Sequence, residues 1–576
     1  MGAPRRRRTR LPTRVLSTPA GFTRRGFLRR AAGSAALLLA GTTLSGCGSS
    51  DAPAGGSDGG GTAKESPFKH GVASGDPMSD RVVLWTRATP VASEDIPVTV
   101  SVYRDAALSQ LVGSASQTAS AARDWTIKID FAGLQPGSTY YFRFAALGFQ
   151  SVIGRTRTAP AENAQRLRFG VVSCSSYAHG YFNAYAQIAK RADLDVILHL
   201  GDYVYEYGTG EYGDVRPYEP ATEMLTLADY RTRHSYYKRT DPDLQEVHRQ
   251  HPFICIWDDH ETTDNSWRDG ANNHTEGAEG IWVDRKAAGQ KAYDEWMPIR
   301  LPEAGNPGRI FRKFSYGGLM DLIMLDTRLF DRDEQLATPP LPPDNPADPA
   351  RKLIGPEQKQ WLFDQLDAST ATWKFLGQQI MFGQLKIVGL PDLSALVPQL
   401  SVVPIAGSGG LYLNSDQWDG YQAERGEIFA HLADQSIDNV VVLTGDIHTS
   451  WAMDLNPDPN NPISYNPLTG AGSLAVEYVC TSVTSPGLDQ LAPAQDAIRL
   501  VNPHMKYIDL AQKGYMLFDV TPEQVVGEWW YLSTITERGG SESFGTGFPV
   551  AAGSNRLGAA VSAASMPPAN PPALAP

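Results

Sequence analysis

Residues 198–207 read LHLGDYVYEY, and this stretch indicates the fold more directly than any other part of the chain. Its apolar start predicts a strand that ends at Leu200, after which Gly201 leads into Asp202 and Tyr205. A carboxylate at the end of a strand can bridge two cations, and a phenolate is a hard ligand that suits Fe(III). The same residues could also form a strand-end turn with a packed aromatic ring. The stretch alone therefore predicts either a metal centre or an ordinary turn.

Three further short apolar runs end in polar residues that could bind a metal ion. They lead into Ser173-Cys174-Ser175-Ser176, Asp258-Asp259-His260-Glu261 and Gly445-Asp446-Ile447-His448. Ligands of open α/β folds gather outside the carboxyl ends of the strands. We therefore predict that four strand ends converge on one metal site.

The four segments follow the block order of the calcineurin-like metallophosphoesterases, and the tyrosine resembles that of the purple acid phosphatases. Three positions differ: Cys174 replaces an aspartate, Asp259 an asparagine and Asp446 a histidine. Longer strings, among them HGVASGDPMSDRVVLWTR, IWDDHETTDNSW and LTGDIHTSWA, resemble the PhoD family of alkaline phosphatases and phosphodiesterases. This resemblance extends from about residue 67 to about residue 536.

The resemblance implies a fold, an activity and two cofactors. The expected fold is an α/β catalytic domain of the αββα sandwich type, preceded by an all-β fibronectin- or Ig-like sandwich. The expected activity is hydrolysis of phosphate monoesters or diesters through attack by a metal-bound water, with Fe(III) and Ca²⁺ as cofactors. The partners would be a phosphate ester substrate and inorganic phosphate as product.

The resemblance also assigns a role to the strand-end side chains. The implied iron ligands are Cys174, Asp202, Tyr205 and His448. Calcium takes about six to eight oxygen ligands, and the implied donors are Asp202, Asp259 and Asp446. Asn265 is a second candidate beside Asp259, and the sequence does not decide between them.

Two residues are predicted to act on the substrate. His260 resembles the histidine that protonates the leaving group or steadies the transition state in related enzymes. Its alternative role is to hydrogen-bond a carboxylate that binds metal. An arginine would bind phosphate through two parallel hydrogen bonds, and Arg285 in the string GIWVDRKAAGQKAY is the candidate.

Other functions stay open on the sequence. A purple-acid-type phosphatase with iron and zinc would need histidine-rich ligation, and a phospholipase D-type phosphodiesterase would need a lipid substrate. A lipoprotein binding module with a degenerate site predicts missing ligands, whereas all four blocks are filled. The substrate could be a nucleotide, a phospholipid or a cell-wall polymer.

The first 47 residues predict export and lipidation. Arg24 and Arg25 stand in the string TRRGFL, which matches the twin-arginine export signal. The apolar run that follows is too short to span a bilayer, and it ends in Leu-Ser-Gly-Cys, a lipobox in which Cys47 would carry lipid. We therefore predict a signal peptide at 1–47, a Gly/Ser tether at 48–64, the twin-arginine translocase as export partner, and a periplasmic or cell-surface protein anchored to the membrane.

The rest of the chain divides by its residue pattern. Alternating apolar and polar residues predict an N-terminal β-sandwich domain at 65–160. Strands and amphipathic helices, among them 355–367 and 421–435, predict a catalytic domain at 165–548. The Ala- and Pro-rich composition of 549–576 predicts a disordered tail. The net charge of −12 argues against nucleic acid as a binding partner.

Overall fold

The structure, a computed structural model, describes residues 65–340, 344–389 and 410–576. The predicted signal peptide and tether, with Arg24, Arg25 and Cys47, lie outside these residues. Every helix in the described ranges is too short or too polar to cross a membrane.

The described elements alternate between strands and helices after an all-β start. In chain order the strands are β1 (Val72–Gly75), β2 (Arg81–Arg87), β3 (Ile96–Tyr103), β4 (Leu111–Ala119), β5 (Thr126–Ala132), β6 (Thr139–Ala146), β7 (Phe149–Gln150), β8 (Gly154–Arg157), β9 (Leu167–Val172), β10 (Val196–His199), β11 (Pro252–Cys255), β12 (Ser266–Trp267), β13 (Gly270–Ala271), β14 (Arg312–Tyr316), β15 (Met320–Met324), β16 (Trp373–Gly377), β17 (Lys386–Gly389), β18 (Gly410–Tyr412), β19 (Val440–Thr444), β20 (Ser450–Leu455), β21 (Ala475–Val479), β22 (Met505–Asp509), β23 (Gly514–Val520), β24 (Gln524–Leu532) and β25 (Glu542–Ala551). The helices are α1 (Asn183–Ile188), α2 (Leu227–Thr240), α3 (Pro242–Gln250), α4 (Trp282–Trp296), α5 (Gly355–Ala368), α6 (Gln422–Asp434) and α7 (Gln495–Val501).

Two large sheets pack face to face in the catalytic domain. One has nine strands in the order β25-β24-β23-β9-β10-β11-β1-β2-β5, and the other has seven in the order β14-β15-β16-β19-β21-β20-β22. Phe169 of the first sheet meets Phe375 of the second, with ring centroids 5.5 Å apart. Side chains of α1 to α4 join the core of the first sheet, and those of α5 and α6 join a second core. The result is the expected αββα arrangement.

The parallel strands in the middle of each sheet position the site. In the first sheet, Val172, His199 and Cys255 lie side by side at the carboxyl ends of β9, β10 and β11. In the second sheet, β19 runs parallel to β16 and β21. Strands β9, β10, β11 and β19 are buried along their whole length, as expected for parallel strands covered on both faces. The segments that follow them therefore meet at one edge of the sandwich.

The N-terminal β domain shares a sheet with the catalytic domain. Strands β3, β4, β6, β7 and β8 form a separate sheet, and the Gln135 amide donates to the Tyr140 hydroxyl at 2.8 Å, a contact typical of a tyrosine corner. Strand β1, however, pairs in parallel with β11, where Ser74 lies opposite Pro252. The sequence predicted a sandwich domain ahead of the catalytic domain. In the structure, one layer of that sandwich continues the catalytic sheet, a pairing that residue alternation does not encode.

The predicted disordered tail is ordered in the structure. The Tyr141 hydroxyl donates to the carbonyl of Ala573 at 2.6 Å. The amide side chain of Gln250 exchanges two hydrogen bonds with the backbone of Ala575, at 2.8 and 3.1 Å. The tail contains few apolar side chains to bury, but its backbone groups are satisfied by buried polar side chains of the body. Composition alone does not predict these contacts of the tail.

Candidate metal centre

Three groups of metal-capable side chains lie at the common edge of the two sheets. They are Cys174 with Asp202 and His448, Asp202 with Asp259 and His260, and Asp258 with Asp259 and Asp446. In each group the potential ligand atoms lie within 4.8 Å of one another, and every member is buried. The groups share Asp202 and Asp259, so they form one continuous cluster.

Four residues of this cluster have a left-handed backbone. The φ angles are 60° for Cys174, 56° for Asp202, 56° for Asp446 and 60° for His448. Residues with a Cβ atom adopt this region rarely. Strained backbone of this kind persists where surrounding contacts fix it, and it concentrates at functional sites.

Tyr205 joins the first group through its hydroxyl. The hydroxyl donates to Asp202 Oδ2 at 2.9 Å, accepts from Ser485 Oγ at 2.6 Å and lies 3.3 Å from His448 Nε2. The other ring nitrogen of His448, Nδ1, lies 2.8 Å from the carbonyl of Pro486. A carbonyl accepts only from a protonated nitrogen, so Nδ1 donates and Nε2 is left facing the cluster as a possible ligand.

The second half of the cluster consists of carboxylates around a buried arginine. Nε of Arg328 lies 2.5 Å from Asp258 Oδ1, and its Nη2 lies 2.8 Å from Asp446 Oδ1 and 3.8 Å from Asp259 Oδ1. Its third nitrogen pairs with Asp416 at 2.9 Å. The guanidinium thus partly neutralises a set of negative charges that would otherwise repel one another.

Sequence reasoning missed Arg328, although a signal for it was present. Strand β15 ends at Met324, and the polar Asp326-Thr327-Arg328 follows almost at once. An apolar strand followed directly by polar residues is the pattern that identified the other four segments. A fifth strand end could therefore have been included by the same rule.

Buried carboxylate oxygens without a hydrogen-bond partner indicate whether cations fit at this site. Among the described residues, Asp202 Oδ1 and Asp258 Oδ2 are buried and have no hydrogen-bond partner. Burial raises the pKa of both carboxyls well above their ordinary value, and neighbouring carboxylates add to the effect. A buried anionic oxygen without a donor is costly, and a bound cation would remove that cost. The donors present therefore fit a centre with more than one cation.

His260 is held by Glu206, a residue that the sequence analysis also missed. His260 Nδ1 lies 2.6 Å from Glu206 Oε2, and Glu206 Oε1 accepts from the Asp264 amide at 2.8 Å. Burial alone would lower the pKa of His260, but the carboxylates of Glu206, Asp259 and Asp202 outweigh it and raise that pKa well above 6.5. Glu206 lies inside the quoted string LHLGDYVYEY, so its proximity to the site could have been expected.

Glu261 fixes the backbone of two strand ends. Its Oε2 accepts from the amides of Asp202 and Asp258 at 3.1 and 2.8 Å, and its Oε1 accepts from the Tyr203 amide at 2.5 Å. Burial raises the pKa of Glu261 to about 7, although these amides favour the ionised form. The side chain therefore ties the end of β10 to the end of β11.

The nitrogens of Arg285 are hydrogen-bonded to neighbouring residues of the protein. Its nitrogens bond Glu223 Oε1 at 2.7 Å, the Asn273 carbonyl at 3.0 Å and the Tyr230 hydroxyl at 3.2 Å. Asn273 in turn donates to Glu206 at 3.1 Å. Arg285 thus supports the Glu206–His260 pair from behind. Spacing in the sequence could not distinguish this position from a direct phosphate contact.

Asn265 lies next to the carboxylate with which it was paired as an alternative ligand. Its backbone amide donates to Asp259 Oδ2 at 2.6 Å, and its φ angle is 52°. The geometry includes Asp259 in the cluster and places Asn265 at its border.

The fold and the site together define a class of protein. Carboxylates, histidines, a tyrosine and a cysteine converge at the carboxyl edge of an αββα sandwich, which is the arrangement of a metallophosphoesterase-like hydrolase. Comparison with known families specifies this class further. The family model "PhoD-like phosphatase" matches residues 169–529, and "PhoD-like phosphatase, N-terminal domain" matches residues 54–160. The chain belongs to the PhoD-like phosphatase family and is a phosphatase.

Two relatives agree with this assignment. The chain is 37% identical over 497 residues to alkaline phosphatase D of Bacillus subtilis (strain 168), covering 83% of this chain and 79% of the relative. A solved structure titled "Structure of PhoD" superposes with a TM-score of 0.77 at 34% identity. That match covers 88% of this chain and 94% of the other.

Proposed function

We propose that this phosphatase is a metal-dependent phosphoesterase that hydrolyses phosphate monoesters and diesters with Fe(III) and Ca²⁺ as cofactors. The observation that carries the proposal is the division of the buried cluster into two chemically different halves. One half offers sulfur, phenol and imidazole donors beside a carboxylate. The other offers the carboxylates of Asp258, Asp259 and Asp446, with His260 near Asp259.

The mixed half suits iron. Cys174, Tyr205 and His448 gather around Asp202, and a phenolate and a thiolate are anionic donors that stabilise Fe(III). Burial raises the pKa of Tyr205 well above 10, and Asp202 and Cys174 add to the effect. The phenol would therefore stay protonated here unless a strongly charged cation displaced its proton. Fe(III) carries enough charge to do so.

The carboxylate half suits calcium. Asp258, Asp259 and Asp446 supply oxygens within 4.8 Å of one another, and Asp202 lies within the same distance of Asp259. Calcium accepts irregular, oxygen-rich sites, whereas Mg²⁺ demands near-octahedral geometry. The absence of histidine from the group of Asp258, Asp259 and Asp446 disfavours zinc there.

The side chains around the cations would act on the substrate. Bound cations would supply an activated water and neutralise charge on the phosphoryl oxygens. His260, oriented by Glu206, would donate its Nε2 proton to the leaving oxygen. The Arg328 guanidinium lies among the carboxylates of the cluster. When cations neutralise them, it would be free to contact the phosphoryl group in place of Arg285.

Export and anchoring complete the proposal. We infer from the sequence that Arg24 and Arg25 direct the folded protein to the twin-arginine translocase and that lipid on Cys47 then holds it at the membrane. The enzyme would act in the periplasm or at the cell surface.

Metal analysis with a hydrolysis assay tests the proposal. We expect iron and calcium in the purified protein, loss of para-nitrophenyl phosphate hydrolysis after EGTA treatment, and recovery with Ca²⁺ but not with Mg²⁺ or Zn²⁺. Active enzyme that contains iron and zinc and resists EGTA would favour the purple-acid type. Faster cleavage of phosphatidylcholine than of the nitrophenyl esters would favour a phospholipase D-type enzyme. An inactive protein with intact fold would favour a binding module.

A pair of arginine variants tests which guanidinium meets the phosphate. Arg328→Lys should raise KM for the ester, because one ammonium cannot reproduce the paired hydrogen bonds of a guanidinium. Arg285→Lys should lower kcat with little change in KM, because Arg285 acts through Glu206 and His260. The opposite pattern would restore Arg285 as the phosphate ligand.

A further inference from the structure

A cavity of about 520 Å³ lies between the N-terminal β domain and α4. Its walls come from β2, β4 and β5 on one side and from the end of α4 and the loop after it on the other. Strand β1 separates β11 from β2, the nearest strand that lines the cavity, so the cavity lies about 10 Å across the sheet from the strand that leads to Asp259. The metal centre does not use this cavity.

The lining of the cavity carries a positive charge in an acidic protein. Four cationic and two acidic side chains line it, which gives a formal charge of +4 − 2 = +2, whereas the whole chain carries −12. These side chains are Arg123, Lys128, Lys291, Arg300, Asp130 and Asp294.

Each of the two carboxylates is shared between two cations. Asp294 lies 2.5 Å from Lys128 Nζ and 3.1 Å from a nitrogen of Arg123. Asp130 lies 2.5 Å from a nitrogen of Arg300 and 3.8 Å from one of Arg81. Arg81 also pairs with Asp80 at 3.0 Å, so the charges at the Asp130 end are balanced. Asp294 alone cannot neutralise both Lys128 and Arg123, so positive charge remains at its end of the cavity.

Lys291 adds a cation that is exposed at the cavity. It lies on α4, is exposed to solvent, and makes no ion pair or side-chain hydrogen bond with any residue that the structure describes. Its ammonium can therefore turn toward a ligand without breaking an existing contact.

The remaining lining is apolar. Val83 and Ile299 are buried at 2% and 0% exposure, and Leu301, Ala304 and Pro307 continue the surface toward solvent. Cavities of about 300–1,000 Å³ with apolar walls and a few polar groups are typical of small-molecule sites. Apolar walls with a cationic rim suit a ligand that has an apolar body and an anionic group.

We propose that this cavity binds a small organic anion, in which a phosphate, sulfonate or carboxylate group is attached to an apolar or ring body. The anionic group lies between Lys291 and the cations that share Asp294, and the body packs on Val83, Ile299 and Leu301. The site is separate from the metal centre and needs no cation of its own.

The probe for the test is 8-anilinonaphthalene-1-sulfonate, an aromatic sulfonate whose fluorescence rises on burial. The full-length enzyme should bind one equivalent saturably. Lys291→Glu should weaken this binding about tenfold or more, because it replaces attraction of the sulfonate by repulsion. Ala304→Trp, which fills the cavity without changing its charge, should weaken it to a similar extent. The variant Lys190→Glu changes an exposed lysine that does not line the cavity, and it should bind as tightly as the wild type.

Three further measurements separate this site from others. The uncharged analogue N-phenyl-1-naphthylamine should bind more weakly, and Lys291→Glu should leave its affinity unchanged. Hydrolysis of para-nitrophenyl phosphate by Lys291→Glu should equal that of the wild type, which also shows that the variant folds. Probe binding that is absent, insensitive to Lys291→Glu and Ala304→Trp, or competitive with the ester substrate would overturn the proposal.

Discussion

Hydrogen bonds to its backbone amide and carbonyl hold Asp202 in an unfavourable left-handed conformation. Its amide donates to Glu261 at 3.1 Å, and its carbonyl accepts from the Ser175 amide at 2.8 Å. The Tyr205 hydroxyl then fixes one carboxylate oxygen. These contacts leave Oδ1 turned to the cluster without a partner among the residues described. A single carboxylate is thus oriented before any cation binds.

Tyr205→Phe tests the iron ligation at this scale. The substitution removes one oxygen and leaves the ring in place, so the fold should be kept. We expect loss of the visible phenolate-to-iron absorption and a fall in activity of about 100-fold, the upper end of the range for changes next to a metal site. Absorption spectra and nitrophenyl phosphate assays measure both effects.

The control for Tyr205→Phe is Tyr293→Phe. Tyr293 is also buried, and its hydroxyl has no hydrogen-bond partner in the described part of the chain. This variant should keep both the absorption band and the activity. An unchanged absorption band in Tyr205→Phe would contradict the assignment.

His260→Asn tests proton donation to the leaving group. A general acid matters most when the leaving oxygen is strongly basic. We expect kcat for phenyl phosphate to fall by about 10²–10⁴ and kcat for para-nitrophenyl phosphate to fall much less. Glu206→Gln should also reduce kcat for phenyl phosphate more than kcat for para-nitrophenyl phosphate, but by a smaller factor, because it leaves the imidazole without its charged partner.

His431→Asn is the matched histidine control, since His431 pairs with Asp367 at 2.8 Å on α6, outside the metal cluster. It should leave both rates unchanged. Equal losses for the two esters in His260→Asn would favour the alternative role of His260 as a partner of a metal-binding carboxylate.

At the scale of one element, helix α2 carries a buried lysine, Lys238. Lys238 Nζ donates to the Tyr203 hydroxyl at 2.7 Å, and that hydroxyl lies 2.8 Å from His248 Nε2. Its ammonium also lies 5.0 Å from the ring centroid of Trp85 in β2. No carboxylate of the described chain pairs with it, and burial lowers the pKa of Lys238 to about 7.

This pKa makes stability depend on pH in a defined direction. Between about pH 7 and the ordinary lysine pKa of about 10.4, the unfolded chain binds a proton at Lys238 that the folded chain does not. The free energy of unfolding contributed by this residue therefore rises with pH across that window. It is low and constant below about pH 7.

Lys238→Met should remove this dependence. We expect the variant to have a higher free energy of unfolding than the wild type at pH 7. This difference should shrink by about 1.4 kcal/mol for each pH unit between about pH 7 and the ordinary lysine pKa. Urea unfolding at pH 7 and pH 9.5 measures it. The exposed-lysine control Lys190→Met should show no such trend. A stability difference between Lys238→Met and wild type that is the same at both pH values would rule out the buried charge as the cause.

At the scale of the whole molecule, strand pairing joins the two domains, and side-chain hydrogen bonds join the tail to both. Strand β1 brings the N-terminal β domain into the catalytic sheet, and residues 573–575 contact both Tyr141 and Gln250. The N-terminal domain is thereby fixed to the sheet that carries Asp202 and Asp259.

The proposed export signal and lipobox make a prediction about the full chain. Replacing Arg24 and Arg25 by lysine should leave precursor inside the cell, because the twin-arginine route reads this pair. Cys47→Ser should give an exported protein without a lipid anchor and with unchanged activity, because the tether separates Cys47 from the metal centre. Stable anchoring needs at least two acyl signals, which a lipoprotein cysteine provides.

Cell fractionation with an activity assay measures the outcome of both changes. A Cys47→Ser protein that remains as firmly bound to membranes as the wild type would show that residues 44–47 are not a lipobox.

The sequence alone determined the chemical character of the site. Strands that end in polar residues identified Cys174, Asp202, Asp259 and His448, and the structure brings these side chains into one buried cluster. Apolar periodicity also located α5, predicted at 355–367 and observed at Gly355–Ala368. Both features depend on residues that are close in the chain, where side-chain pattern and backbone preference act together.

Only the tertiary structure decided which distant residues complete the site. Arg328 meets Asp446, 118 residues away, and Glu206 meets His260, 54 residues away. The same holds for the pairing of β1 with β11 and for the ordered tail. Such contacts are fixed by packing of whole sheets and by the need to satisfy buried charges and backbone groups. Local patterns in the sequence do not encode such contacts, so neither the contact of Arg328 with Asp446 nor the contacts of the tail could be predicted from them.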